Sequence, residues 1–140
     1  MMYITRKEHF NAAHKLFNPS WSKEKNELVF GPCANENWHG HNYDLYVTVK
    51  GTVNEKTGFI VNLKELSKII KAEIIDKVDH KNLNLDVEFM KGKLTSTENL
   101  IGEFWKLLAP KILAISDSNA QLHAWKLYET PRNYVEYFGE

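Results

Sequence analysis

His39, Gly40 and His41 open a run to Lys50 whose odd positions continue as Tyr43, Leu45, Val47 and Val49. Its even positions are Asn42, Asp44, Tyr46, Thr48 and Lys50, and such alternation marks a strand with one covered face. Residues two apart on a strand leave the same face with Cα atoms roughly 6.5–7 Å apart, so both imidazoles can reach one ion. Sharing parity with Leu45, Val47 and Val49 places the pair at the end of the buried face, where unpartnered imidazoles are costly. A metal satisfies them, taking neutral imidazole as its ligand. An isolated His-x-His pair is more often structural, and a catalytic zinc needs a third protein ligand beside an open fourth position. Among the six histidines, His14, closing the Phe10, Ala12, His14 stretch, is the best third candidate. His9 and His123 are rivals that fit partly exposed strand positions better.

Three other groups could do chemistry. Cys33 is the one cysteine, which excludes an intrachain disulfide and fits a reducing, cytoplasmic setting. Alone, it reads as a small buried hydrophobe. Asp79 and His80 could be a polar helix-end cap, or a carboxylate that fixes an imidazole as a proton shuttle. Glu129 shares parity with Trp125 and Leu127, so its carboxylate points where apolar groups point and needs donors there.

The elements that must position these groups follow from periodicity. Residues 2–13 suggest a first strand, and 18–37, turn-rich at Asn18-Pro19-Ser20 and Gly31-Pro32, a long loop. After His39–Lys50 the chain turns over Gly51–Gly58, and Phe59-Ile60-Val61 reads as a returning strand. Asn62 and Glu65 form a capping box for an amphipathic helix over 63–77. A second helix starts near Thr95-Ser96-Thr97-Glu98, and Pro110 should end or kink it. Residues 120–129 and 133–138 make a closing hairpin around Thr130-Pro131-Arg132. Short turns between strands, with the helices consecutive, indicate an antiparallel α+β domain rather than a βαβ array.

The 140 residues fit a single domain, 1–140, with one core. Balanced Lys+Arg 18 and Asp+Glu 18 remove the electrostatic case for nucleic acid or an anionic membrane as partner. The sequence contains no apolar run of about eighteen residues, and its N-terminus lacks a signal-peptide core.

Specific motifs go further. Phe10-Asn11-Ala12-Ala13-His14 is followed by Gly31-Pro32-Cys33-Ala34-Asn35-Glu36-Asn37-Trp38-His39-Gly40-His41-Asn42-Tyr43. Then come Gly58-Phe59-Ile60-Val61-Asn62-Leu63, Val78-Asp79-His80-Lys81-Asn82-Leu83-Asn84, Ser96-Thr97-Glu98-Asn99 and Tyr128-Glu129-Thr130-Pro131. In this order, over almost the whole chain, they resemble the 6-pyruvoyl-tetrahydropterin synthase family. The resemblance implies a T-fold: a four-stranded antiparallel sheet with two helices on one face. Three subunits then close their sheets into a barrel, and two trimers stack into a homohexamer with active sites between subunits. It implies 7,8-dihydroneopterin triphosphate as substrate, zinc as cofactor and magnesium as an associated ion.

By the same resemblance His14, His39 and His41 are the zinc ligands and Cys33 is the general base. Asp79 and His80 complete the proton-transfer groups, and Glu129 anchors the pterin. Ser96, Thr97 and Glu98 fall near the pterin, with a helix cap as their other reading. Two features depart from common relatives: Pro32 stands where Lys is frequent, and Trp38 where Gly is. The spacing of Cys33 from His39, together with Asn62, favours 6-pyruvoyl-tetrahydropterin formation. The alternative is the 6-carboxytetrahydropterin synthase of queuosine biosynthesis, which uses the same substrate and also releases acetaldehyde.

Overall fold

The computed structural model describes residues 1–116 and 120–140. Two long strands, β1 (Met2–His14) and β2 (His39–Gly51), pair antiparallel along their whole length, from Met2 opposite Gly51 to His14 opposite His39. Gly40 lets them close up, since a Cβ there would stand 3.3 Å from the Ala12 carbonyl oxygen. β4 (Ala120–Thr130) pairs antiparallel with the other edge of β2, and β5 (Asn133–Tyr137) with β4. Lys81–Asn82 forms a two-residue strand, β3, running parallel to β1 opposite Ala12 and Ala13. The sheet therefore has five strands in the order β3-β1-β2-β4-β5, one short parallel edge strand more than the four expected.

One face of this sheet carries Phe10, Ala12, Tyr43, Leu45, Val47, Val49, Trp125 and Leu127, all buried. Against them pack Leu66, Ile70 and Ile74, and Leu100, Ile101, Phe104, Leu108 and Ile112 of the long helix α4 (Thr97–Ile115). The first helical stretch is capped by Asn62, whose side chain accepts from Lys64 and Glu65 backbone N–H groups. It runs as α2 (Leu63–Ile70), widens to a π-turn over Lys71–Ile75, and returns to one α-helical turn, α3 (Asp76–Val78). Among the described residues no helix is long and apolar enough to cross a membrane.

Two further expectations are corrected, and a third, that Pro110 ends or kinks its helix, loses its first half. Phe59-Ile60-Val61 is no strand but a bend, with Ile60 and Val61 buried in the core. β2 already has β1 and β4 on its two edges, so a returning strand finds no partner there. The 18–37 loop contains a helix, α1 (Lys23–Phe30), and a short 3₁₀ turn over Gly31–Ala34. α1 is held from inside by a polar residue: the amide of buried Asn26 donates to the Asn18 and Ser22 carbonyls, and its oxygen accepts from Asn18 N–H. Pro110 does not end α4, which continues to Ile115. Pro110 is exposed, so water can satisfy the carbonyl that its missing N–H leaves free.

Candidate metal centre and its surroundings

His14 is the last residue of β1 and His39 the first of β2, directly opposite each other, while His41 sits two residues further on the same face. The three imidazoles form a triangle with ring centroids 4.5 Å (His14–His39), 5.1 Å (His14–His41) and 4.9 Å (His39–His41) apart. Glu129, near the end of β4, brings Oε1 to 2.9 Å from His41 Nε2 and 3.5 Å from His14 Nε2. One ligand atom from each of the four side chains lies within 4.8 Å of the others. Sequence reasoning set Glu129 apart as a substrate contact; the structure brings it into the histidine group. His9 and His123 stand elsewhere, His9 exposed on β1 and His123 against Tyr3 on β4.

The donor set fits a divalent ion. His14 Nε2, both His39 nitrogens and His41 Nε2 are buried without a hydrogen-bond partner, a costly arrangement that a shared cation relieves. His41 Nε2 is only 2.9 Å from Glu129 Oε1, yet its orientation makes no hydrogen bond, so proximity here is not pairing. Burial first, then the neighbouring imidazoles, holds His39 and His41 below the ordinary imidazole pKa, and Glu129 opposes this only in part. Both are thereby kept in the neutral form that binds metal. The Glu129 carboxyl is held below its usual range, chiefly by His14 and then by His41, although burial opposes it. His14 Nδ1 lies 2.8 Å from the Thr95 carbonyl, which can only accept, so Nδ1 carries the proton. Its Nε2 lone pair then faces the Glu129 carboxylate, which is favourable only with a proton or a cation between them.

Tyr43 floors this group. Its ring stacks on Phe10 at 4.6 Å and stands 5.6 Å from the His41 ring, and burial pushes its hydroxyl pKa up. Periodicity identified Tyr43 as core, with nothing to mark its place beneath the histidines.

Cys33 sits in the 3₁₀ turn after α1, partly buried, with its carbonyl accepting from Leu16 N–H at 2.8 Å. It is outside the four-residue group. Trp38, just before His39, has φ +67, the region glycine prefers, and its ring lies under Lys15 Nζ at 4.4 Å. That contact offsets part of the roughly 1 kcal/mol such a backbone costs.

Asp79 and His80 leave α3 and meet the edge of β1. Asp79 Oδ1 accepts from Asn11 N–H at 3.0 Å, and His80 N–H donates to the Asn11 carbonyl at 2.7 Å. Asp79 Oδ2 lies 3.0 Å from His80 Nδ1, and the Asn11 N–H, then His80, holds the Asp79 carboxyl below its usual range. His80 has φ +60 and its side chain is 76% exposed, beside a cleft of about 530 Å³ lined by Asn11, Gly40, Asn42 and Asn82. Among the described residues no hydrogen bond joins this pair to Cys33. A smaller hollow of about 270 Å³ is lined by Thr97, Glu98, Glu129, Asn133 and Tyr134. Ser96 caps α4, its hydroxyl accepting from Asn99 N–H at 3.3 Å.

A sequence profile described as 6-pyruvoyl tetrahydropterin synthase matches residues 3–140. The chain is 42% identical to a 6-pyruvoyl tetrahydrobiopterin synthase of Dictyostelium discoideum, over 98% of this chain and 96% of that one. A solved 6-pyruvoyl tetrahydropterin synthase of Caenorhabditis elegans superposes with a TM-score of 0.87 at 33% identity, covering 99% of this chain and 96% of the other. A 6-carboxy-5,6,7,8-tetrahydropterin synthase of Rickettsia typhi is 25% identical, over 97% of this chain and 99% of that one.

Proposed function

The chain belongs to the 6-pyruvoyl tetrahydropterin synthase family, and from that premise we propose that it is a zinc-dependent lyase. It converts 7,8-dihydroneopterin triphosphate to 6-pyruvoyl-tetrahydropterin with loss of triphosphate. Identity of 42% to a pyruvoyl-type relative, against 25% to a carboxy-type one, supports this product over the acetaldehyde-releasing alternative. The observation that carries the reading is the meeting of His14, His39 and His41 with four buried ring nitrogens unpartnered.

In this reading the three histidines hold the zinc, which when bound acts as a Lewis acid on the substrate's side-chain hydroxyls. Cys33 as thiolate takes the proton from the side-chain carbon next to the ring. His80 carries its second proton-transfer nitrogen outward, because Asp79 Oδ2 lies 3.0 Å from Nδ1 and leaves Nε2 free. Glu129 binds the pterin ring N–H and amino groups as a bidentate acceptor, with Thr97 and Glu98 lining the same hollow. The ring gains the electrons that the side chain loses as triphosphate departs, so no outside oxidant or reductant is needed. The outward-facing His80, unbonded to Cys33 of its own chain, supports assembly of the site between subunits of a hexamer, in which the open sheets close into a barrel.

Incubation of the zinc-loaded protein with 7,8-dihydroneopterin triphosphate, with mass analysis of the products, tests the reading. Triphosphate and 6-pyruvoyl-tetrahydropterin are expected; stoichiometric acetaldehyde overturns the product assignment.

A further inference from the structure

We propose that Asn84 is a positioning residue for the histidine centre, acting through Thr95 to hold His14 with Nε2 turned toward His39 and His41. This rests on the metal-binding reading above. A neutral imidazole has two tautomers, and only the one protonated on Nδ1 presents Nε2 as a lone pair. For His14 that choice is made by Thr95, whose carbonyl lies 2.8 Å from Nδ1 and whose hydroxyl stands further off at 3.4 Å. His14 and Thr95 are 1% and 0% exposed, so no water competes for the bond.

Thr95 lies in the segment ahead of α4, and its place is set by its hydroxyl. Thr95 Oγ1 donates to Asn84 Oδ1 at 3.0 Å, with the Lys15 carbonyl also within reach at 3.3 Å. The Asn84 amide meanwhile grips the backbone of Lys15, the residue after His14, at two points. Lys15 N–H donates to Oδ1 at 3.1 Å, and Nδ2 donates to the Lys15 carbonyl at 3.1 Å. Asn84 is in turn fixed to the sheet edge. Its N–H donates to Asn82 Oδ1 at 2.9 Å, and Leu83 N–H donates to the Ala13 carbonyl at 2.8 Å. One side chain thus ties the end of β1, the turn after β3 and the segment before α4, and both sides of the His14–Thr95 bond hang from it. Outer partners of this kind set the tautomer and direction of a ligating histidine. Removing Asn84 frees the Thr95 carbonyl, lets the proton move to Nε2 and takes a lone pair from the centre.

The test uses the full chain and four variants: Asn84→Ala, Thr95→Val, Thr95→Ser and His39→Ala. Zinc affinity is read by competition with a chromophoric chelator, and the geometry of the centre by the visible spectrum of the cobalt(II)-loaded protein. Asn84→Ala and Thr95→Val are expected to weaken zinc about 10–100-fold and to change the cobalt bands. Thr95→Ser, which keeps both hydroxyl and carbonyl, is expected to bind as the parent does. Should Asn84→Ala not fold, the isosteric Thr95→Val carries the test alone. Parent-like zinc affinity and cobalt bands in Thr95→Val overturn the proposal, as does equal weakening in Thr95→Ser with unchanged bands, the sign of mere loosening. A parent that binds no zinc, or a His39→Ala variant that binds as well as the parent, overturns the metal reading first and this inference with it.

Discussion

His14, His39 and His41 meet on the covered face of the sheet, half-buried or buried, with nitrogens that have no partner. Asp79 and His80 stand at the sheet's edge, 3.0 Å apart at Oδ2 and Nδ1 and hydrogen-bonded to the Asn11 backbone, with His80 open to solvent. Both groups are built from imidazole and carboxylate, yet one is frustrated internally and the other is satisfied. The first lacks something that fits between its own atoms, a cation. The second lacks only something to act upon, brought from outside the chain. Equal chemistry in two environments thus separates, in the proposed reading, a binding centre from a proton-transfer pair.

The sharpest way to break this contrast is to remove a ligand. Loss of an outer partner costs metal affinity about 10–100-fold, and loss of a direct ligand costs more. His39→Ala is therefore expected to return from dialysis with background zinc and no turnover, by elemental analysis and product assay. Next comes Cys33→Ala, expected to lose about 10²–10⁴ in kcat while keeping zinc at the parental stoichiometry. His80→Ala should lose activity in the same range, with zinc content and melting temperature unchanged, since its side chain is 76% exposed. Mixed oligomers of Cys33→Ala and His80→Ala should regain activity over either alone; no recovery would place both groups in one protomer's site. Asp79→Ala loses its bond to Asn11 N–H, an effect of about 1 kcal/mol, visible as a small drop in melting temperature.

The smallest effect is on pH dependence. His39 and His41 have pKa values below the ordinary imidazole value in the folded chain and regain it on unfolding. Below about pH 6.5 the unfolded chain therefore binds more protons, and the stability of the metal-free protein falls as pH drops. Above that range both states are neutral and this contribution is flat. Zinc should hold the imidazoles unprotonated and move the fall to lower pH, as melting curves with and without the ion would show.

The histidine pair was legible because a two-residue strand period fixes which side chains share a face, and His14 because it closes the same kind of period after Phe10 and Ala12. Glu129 was half legible: parity showed that it points inward, but not that β4 delivers it to the histidines, which depends on the register of three strands. α1 was hidden because its buried residue is Asn26, and a helix held by a polar side chain leaves no apolar stripe to read. Phe59-Ile60-Val61 misled for the opposite reason, an apolar run in a place where no strand edge was free. Thr95 and Asn84 showed only as a helix start and part of a motif, because at Thr95 the working atom is a backbone carbonyl that every residue type possesses.

The π-turn at Lys71–Ile75 winds the chain more loosely than the α-helix before it. Rewound to α-helical pitch with every residue kept, the segment would turn everything after it by about 100°. Asp79 would then swing off the Asn11 amide and carry His80 away from the sheet edge, while the proposed metal ligands, on other strands, would stay where they are. The aim of the proposed proton-transfer pair is thus stored in the phase of a helix whose own residues never approach it.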